Sequence, residues 1–298
     1  MKRATSPRST PWLHKEGVVN GVRLHWVEAG NADAPLVVML HGFPEFWYSW
    51  RHQLRDLSKE GFRVAAPDMR GYNLSEKPPS GYDIDTLTKD ISEFILLLNR
   101  LAKDEEKKPV FLVGHDWGGI VAYSVAARFP HQVRKLVILN APYLGFLQKE
   151  SLSWRQWWNF WYIAFFQCPF LPEMMFGSFR SYLLAYGVKQ AATVPCFDEA
   201  TIRTYRDAMS QPKALSSMLE YYRNLRRSCR QTEGHDRIKT PTIILWGTHD
   251  TFMEREIFES MDQYVDATLE IIELPCGHWV QQELPEEVTR HLLRYLVD

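Results

Sequence analysis

Asp116 stands where a carboxylate can do chemistry. It is the middle of Gly114-His115-Asp116-Trp117-Gly118, which follows the apolar run Val110-Phe111-Leu112-Val113. A strand over 110–114 and a helix over 118–128 would make this a sharp strand-to-helix turn with the central residue forced outward. Glycines at 114 and 118 remove Cβ atoms that would collide in so tight a bend. The start of the following helix offers N–H groups that favour an anion. A carboxylate is ionised at neutral pH and attacks without a base, which a serine hydroxyl in that position could not do. Its attack suits displacement at a saturated carbon and would leave an alkyl ester on the chain. The plainer alternative is an aspartate that only caps the helix of a βα turn.

The elements that must position this residue are legible as alternating patterns. Short β-branched or apolar runs at 36–40, 63–66, 110–114, 133–139, 242–246 and 268–274 read as strands, and Gly21 to Glu28 reads as an earlier antiparallel one. Helical spacing fits 49–59, 86–100, 118–128, 255–264 and 285–296, with Pro285 in the first turn of the last. This rhythm predicts an α/β fold with a mainly parallel sheet flanked by helices. It stops after Asn140-Ala141-Pro142 and resumes at Pro241. The intervening stretch is helical and aromatic-rich, and too long for a loop. It is expected to be an inserted helical cap over the carboxyl edge of the sheet, where ligands bind in open α/β sheets. The division expected is 1–142 and 236–298 for the core and 143–235 for the cap.

Composition narrows the function classes. The 298 residues are 45% hydrophobic and 24% charged, as in globular proteins, and a net charge of −1 argues against nucleic acid as a partner. Cys168, Cys196, Cys229 and Cys276 are widely spaced, which predicts free thiols and neither a disulfide framework nor a zinc site. The basic, Ser- and Pro-rich start lacks an apolar core for a secretory signal. The apolar stretch 157–176 is broken by Asn159, Gln167, Pro169, Pro172 and Glu173, so it reads as the wall of a pocket rather than a membrane span. The run Lys103 to Lys108 reads as a solvated loop. A cytoplasmic protein is expected, or a membrane-associated one if an N-terminal anchor precedes this sequence.

Taken in order along the chain, the motifs resemble those of epoxide hydrolases of the α/β-hydrolase fold family. The segment His41-Gly42-Phe43-Pro44-Glu45 with Trp50-Arg51, the run Asp68-Met69-Arg70-Gly71-Tyr72 and the turn at Asp116 all match. So do Trp246-Gly247-Thr248-His249-Asp250 and Gly277-His278-Trp279. The resemblance implies Asp116 as nucleophile, Asp250 as the orienting acid and His278 as base. Asp250 and His278 each follow an expected strand, so both fall at the same sheet edge. Some related enzymes carry the acid one strand earlier, where this chain has Asn140. Backbone N–H groups of Phe43 and Trp117 would form the oxyanion hole. Phe43, Trp117 and Trp279 would also contact substrate. His41, Glu45, His115 and His249 are read as supporting residues.

The leaving group must distinguish this chemistry from that of haloalkane dehalogenases, which share fold and nucleophile. A halide needs donors such as indole N–H, whereas an epoxide oxygen needs hydroxyls that release a proton as alkoxide develops. Trp161-Tyr162-Ile163-Ala164-Phe165-Phe166-Gln167 and Tyr222-Arg223-Asn224 resemble the tyrosine pair of epoxide hydrolases, which implies Tyr162 and Tyr222 as the donors. Tyr221 and Tyr222 point about 100° apart on a helix, so only one of them can face the site. The expected reaction converts an apolar epoxide and water to a vicinal diol without metal or organic cofactor. A dehalogenase and a non-catalytic small-molecule receptor on the same fold are the alternatives. A homodimer and membrane association are left open.

Overall fold

The apolar runs become the strands of one eight-stranded sheet, ordered β1-β2-β4-β3-β5-β6-β7-β8. A computed structural model describes residues 12–102, 108–149, 153–177, 181–232 and 237–297. The strands are β1 Leu13–Val19, β2 Val22–Ala29, β3 Leu36–Leu40, β4 Arg63–Pro67, β5 Val110–His115, β6 Val133–Leu139, β7 Thr242–Gly247 and β8 Leu269–Leu274. From β4 to β8 every pairing is parallel, while β1–β2 and β2–β4 are antiparallel. Strands β3, β4 and β5 are buried along their whole length, which is why they read as unbroken apolar runs.

β1 was absent from the sequence expectation. Its residues Leu-His-Lys-Glu-Gly-Val-Val lie on the sheet edge and are largely exposed, so no apolar alternation marks them. It is held by pairing with β2 across a turn at Asn20 and Gly21.

Helices α1 Arg51–Lys59, α2 Ile84–Leu101 and α3 Trp117–Arg128 follow the strands as their spacing predicts. α1 buries Leu54 and Leu57, with Trp50 at its start, and packs against the C-terminal helix. α2 begins at Asp83, whose carboxylate accepts from the Thr86 N–H, and packs on α3.

Between β6 and β7 the described residues hold only helices: α4 Leu144–Lys149, α5 Trp154–Asn159, α6 Trp161–Phe166, α7 Leu171–Gly177, α8 Tyr182–Ala191, α9 Glu199–Met209, α10 Ala214–Arg223 and α11 Leu225–Gln231. After β7 come α12 Glu256–Glu259, α13 Val280–Glu283 and α14 Pro285–Val297. The single helix expected over 255–264 is instead α12 followed by a 3-10 turn, Met261–Gln263. Both pieces keep Ile257, Phe258 and Met261 inward, and such tightening is common at helix ends. Residues 1–11 and 103–107 lie outside the described residues, and with them most of the expected N-terminal tail and of the loop ending at Lys108.

The sheet order explains where the site forms. β5 pairs β3 with Gly114 opposite Leu40, and β6 with His115 opposite Leu139. β7 pairs β8 with Gly247 opposite Leu274. The carboxyl ends of β3, β5, β6, β7 and β8 therefore lie side by side, and the residues just beyond them share one edge. The chain reverses its progress across the sheet between β3 and β5, the kind of switch point where ligands bind.

Candidate active site

Asp116 sits at the tip of the β5–α3 bend with φ 49° and ψ −122°, a backbone conformation rarely adopted by a side-chain-bearing residue. The bend depends on the absence of neighbouring side chains. A Cβ on Gly118 would stand 2.3 Å from the Leu40 carbonyl oxygen, and one on Gly42 would stand 2.4 Å from the Asp116 Cβ. The strain is held by the flanking strand and helix, and it aims the carboxylate away from both.

Around that carboxylate the expected partners converge. The Phe43 N–H donates to Asp116 Oδ1 at 2.7 Å, and the Trp117 N–H also bonds the carboxylate. The two N–H groups expected to form an oxyanion hole thus already grip an anion. His278 Nε2 lies 3.8 Å from Asp116 Oδ2, too far for a direct bond but near enough for each charge to act on the other. His278 Nδ1 donates to Asp250 Oδ2 at 2.8 Å. The buried Asp250 carboxylate further accepts the Phe252 N–H at 2.7 Å and the Asn140 side-chain amide at 2.7 Å.

Asn140 has a larger part than its sequence position suggested. Besides Asp250, its amide donates to the Gly277 carbonyl at 3.2 Å, and its oxygen accepts the Gly247 N–H at 2.8 Å. One residue after β6 thereby ties the Asp250 loop after β7 to the His278 loop after β8. The sequence signal was present, since the acid of some relatives occupies this position.

The supporting residues Glu45 and His115 lie beneath His278. His115 Nε2 is 2.9 Å from the His278 carbonyl oxygen, which can only accept, so Nε2 carries the proton. His115 Nδ1 is 2.8 Å from Glu45 Oε2, and Glu45 also accepts from the Tyr205 hydroxyl and from the side-chain amides of Gln281 and Gln282. Every neighbour of this buried carboxylate is a donor. Burial would push its proton affinity up, but the His115 charge and hydrogen bond outweigh that and hold Glu45 below the usual carboxylate range. His41 is fixed as a neutral tautomer: Nδ1 donates to the Gly42 carbonyl, and Nε2 accepts the Met69 N–H. It braces the loop that carries Phe43. His249 faces solvent.

Above the carboxylate lies an apolar cavity of about 240 Å³ whose wall includes Asp116, His278, Phe43, Tyr162, Tyr222 and Trp279. The Tyr162 and Tyr222 rings are 5.8 Å apart. Tyr221 turns away and donates to the Arg70 carbonyl at 2.7 Å. Trp117, expected to touch substrate, instead stands behind the wall. Its ring packs edge-on against Tyr221 and Tyr222. The Trp279 indole N–H is engaged by the Val188 carbonyl at 3.0 Å, so it offers the cavity only its ring. The stretch expected to form a pocket wall does so through Tyr162, Phe165, Phe166 and Phe176, whereas Trp158 and Phe170 face outward. Among the described residues no group of three or more His, Cys, Asp or Glu side chains is arranged to hold a metal ion.

The charges are coupled. Burial raises the Asp116 pKa, against the pull of His278, His115 and the two N–H groups. Burial alone would lower that of His278, but the Asp250 charge and hydrogen bond, then Asp116 and Glu45, push it up to about 9. Burial, with Asp116 adding to it, lifts Tyr162 and Tyr222 well above 10, so both keep their protons at neutral pH. The site can therefore present an anion, a cation behind it and two neutral hydroxyl donors across an apolar gap.

This arrangement has counterparts. Residues 35–284 match the family model for the alpha/beta hydrolase fold. Human epoxide hydrolase 4 is 37% identical over 290 residues, spanning 93% of this chain and 76% of the relative. The AB hydrolase superfamily protein YfhM of Bacillus subtilis is 35% identical, spanning 93% of this chain and 95% of its own. Among solved structures, epoxide hydrolase VrEH1 from Vigna radiata superposes with a TM-score of 0.83 at 29% identity, covering 98% of this chain and 99% of that one. Cfl2 from Burkholderia cenocepacia superposes with a TM-score of 0.83 at 29% identity, with 97% of each chain covered. Read together with the sheet and the site at its edge, these likenesses make the chain a member of the α/β hydrolase fold family, in the branch of its epoxide hydrolases.

Proposed function

We propose that this protein hydrolyses an apolar epoxide to a vicinal diol through an ester on Asp116. The observation that carries the reading is one apolar cavity with a carboxylate on its floor and two phenols on its wall. The similarity to proteins named epoxide hydrolases supports the same substrate class. In this reading residues 143–235 form the cap that supplies the phenols, and the rest of the chain forms the core.

Tyr162 and Tyr222 bind the ring oxygen. The Asp116 oxygen attacks one ring carbon, the C–O bond breaks, and a phenol proton moves to the alkoxide. A phenol suits that transfer because the alkoxide is far the stronger base. The alkyl ester has no charge, so the Asp116 share of what raised the His278 proton affinity is gone; the imidazolium gives its proton to the phenolate left by ring opening and becomes a base. It takes a proton from water, which attacks the ester carbonyl of Asp116 while the Phe43 and Trp117 N–H groups hold the oxyanion. The oxyanion collapses, the ester C–O bond breaks, the proton of the new Asp116 carboxyl passes to the departing diol oxygen, and the Asp116 carboxylate and the His278 cation are restored. Asp250, held by Asn140 and the Phe252 N–H, keeps the imidazole oriented throughout. Halide displacement fits less well, because two phenols line the cavity, the Trp117 indole does not, and Phe43 has no side-chain donor.

His278→Gln should form the ester and fail to release it. Intact-protein mass spectrometry with styrene oxide then shows an adduct of substrate mass, absent from Asp116→Ala. An adduct of equal yield in Asp116→Ala, or chloride release from a chloroalkane outpacing epoxide turnover, overturns the proposal.

A further inference from the structure

Helix α5 is packed inside out. Trp154, Trp157, Trp158 and, on α6, Trp161 recur at the three- and four-residue spacing that marks a buried stripe, yet they are 78%, 65%, 73% and 61% exposed. The buried residue of α5 is the polar Gln156, whose side chain bonds the Phe252 carbonyl and the Glu254 N–H and seats the helix on the core. Phe170, just before α7, is 77% exposed and extends the apolar surface.

Two further observations say what covers this face. First, the catalytic cavity opens in it: Trp161, Leu183 and Gly187 are exposed and also line that cavity. A second apolar cavity, of about 550 Å³, shares Trp161 and Tyr222 with the first and is bounded by Trp157 and Arg226. A rigid protein seated here would block the substrate's route, whereas a fluid bilayer leaves it open and dissolves apolar solutes. Second, cations border the indoles. Arg155 follows Trp154 in the chain, and Arg226, exposed on α11 as are Arg227 and Arg230, bounds the second cavity together with Trp157 and Trp161. Indoles favour the boundary between hydrocarbon and headgroup, and guanidinium pairs well with phosphate. No helix among the described residues is long and apolar enough to cross a membrane, so the contact is one of surface docking.

We propose that the tryptophan face of α5 and α6 docks on an anionic phospholipid surface, with the mouth of the catalytic cavity turned toward the lipid. Docking needs no epoxide, so its test is separate from that of the reaction.

The full chain is sedimented with vesicles of phosphatidylcholine alone and of phosphatidylcholine mixed with phosphatidylserine. It should co-sediment with the mixed vesicles, and less so as salt rises. Trp154→Ser combined with Trp158→Ser changes two indoles that line neither cavity. Partition should fall by roughly tenfold or more, while turnover of a small water-soluble epoxide stays as in the unchanged protein. Arg226→Glu with Arg230→Glu should weaken binding to the mixed vesicles only. No co-sedimentation with either vesicle, or binding unaltered by the tryptophan changes, overturns the proposal. So does a dimer in sedimentation velocity that the tryptophan changes dissolve, because the face would then be covered by a second copy.

Discussion

At the scale of single residues, the proposed chemistry divides between groups that hold charge and groups that hold a proton. Tyr162 and Tyr222 both line the cavity, and burial keeps both phenols protonated. In the proposed reaction each donates one bond to the developing alkoxide. Tyr162→Phe and Tyr222→Phe should each lower kcat/KM by about 10²-fold or more, and the double variant should leave almost none. Tyr221→Phe is the contrast: it loses the bond to the Arg70 carbonyl, costing about 1 kcal/mol of stability, and leaves the chemistry in place. Thermal melts and steady-state rates separate the two outcomes. The carboxylate sets the acid limit. In the proposed reaction Asp116 attacks only when ionised, and burial raises its pKa above the ordinary 3.8. As pH falls, kcat/KM should therefore drop through a pKa above 3.8, measurable in a pH–rate profile. At the alkaline side the raised tyrosines should cause no loss until well above pH 10.

Elements convert these residues into a site. Strand order brings five carboxyl ends together, and each contributes one group: Phe43 after β3, Asp116 after β5, Asn140 after β6, Asp250 after β7 and His278 after β8. The β5–α3 bend is the tightest joint. Gly118→Ala would drive a methyl into the Leu40 and His41 carbonyls at 2.3 and 2.5 Å. Backbone cannot yield there as a flexible side chain would, so the bend must open. The variant should lose about 3 kcal/mol or more in a denaturant melt, and the surviving fold should lose activity through the displaced Asp116. The same scale explains the failures of sequence reading. β1 lies on the sheet edge facing water, so nothing in its composition sets it apart from a loop. The expected helix over 255–264 broke because three inward side chains can be satisfied equally well by a short helix and a 3-10 turn.

Across the whole molecule, helices from the middle of the chain meet a core assembled from both its ends. Tyr205 reaches Glu45, Gln156 reaches the loop after Asp250, and Tyr221 reaches Arg70. These contacts bridge long separations, and none could be read from local pattern. The amino-acid order alone carried the parallel sheet and the bend at Asp116. Each of those depends on a few neighbouring residues: an unbroken apolar run, or glycines beside a carboxylate. Asp250, His278, Tyr162 and Tyr222 were pointed to through resemblance to known motifs, and the fold brings all four to the cavity or the residues lining it. Tertiary structure alone decided that Trp117 stands behind Tyr222, that Asn140 joins two loops, and that Glu45 and His115 brace the base from below. It also decided that the tryptophans of α5 face outward. Periodicity tells which residues of a helix share a side, but what that side meets is settled by chain folded in from elsewhere.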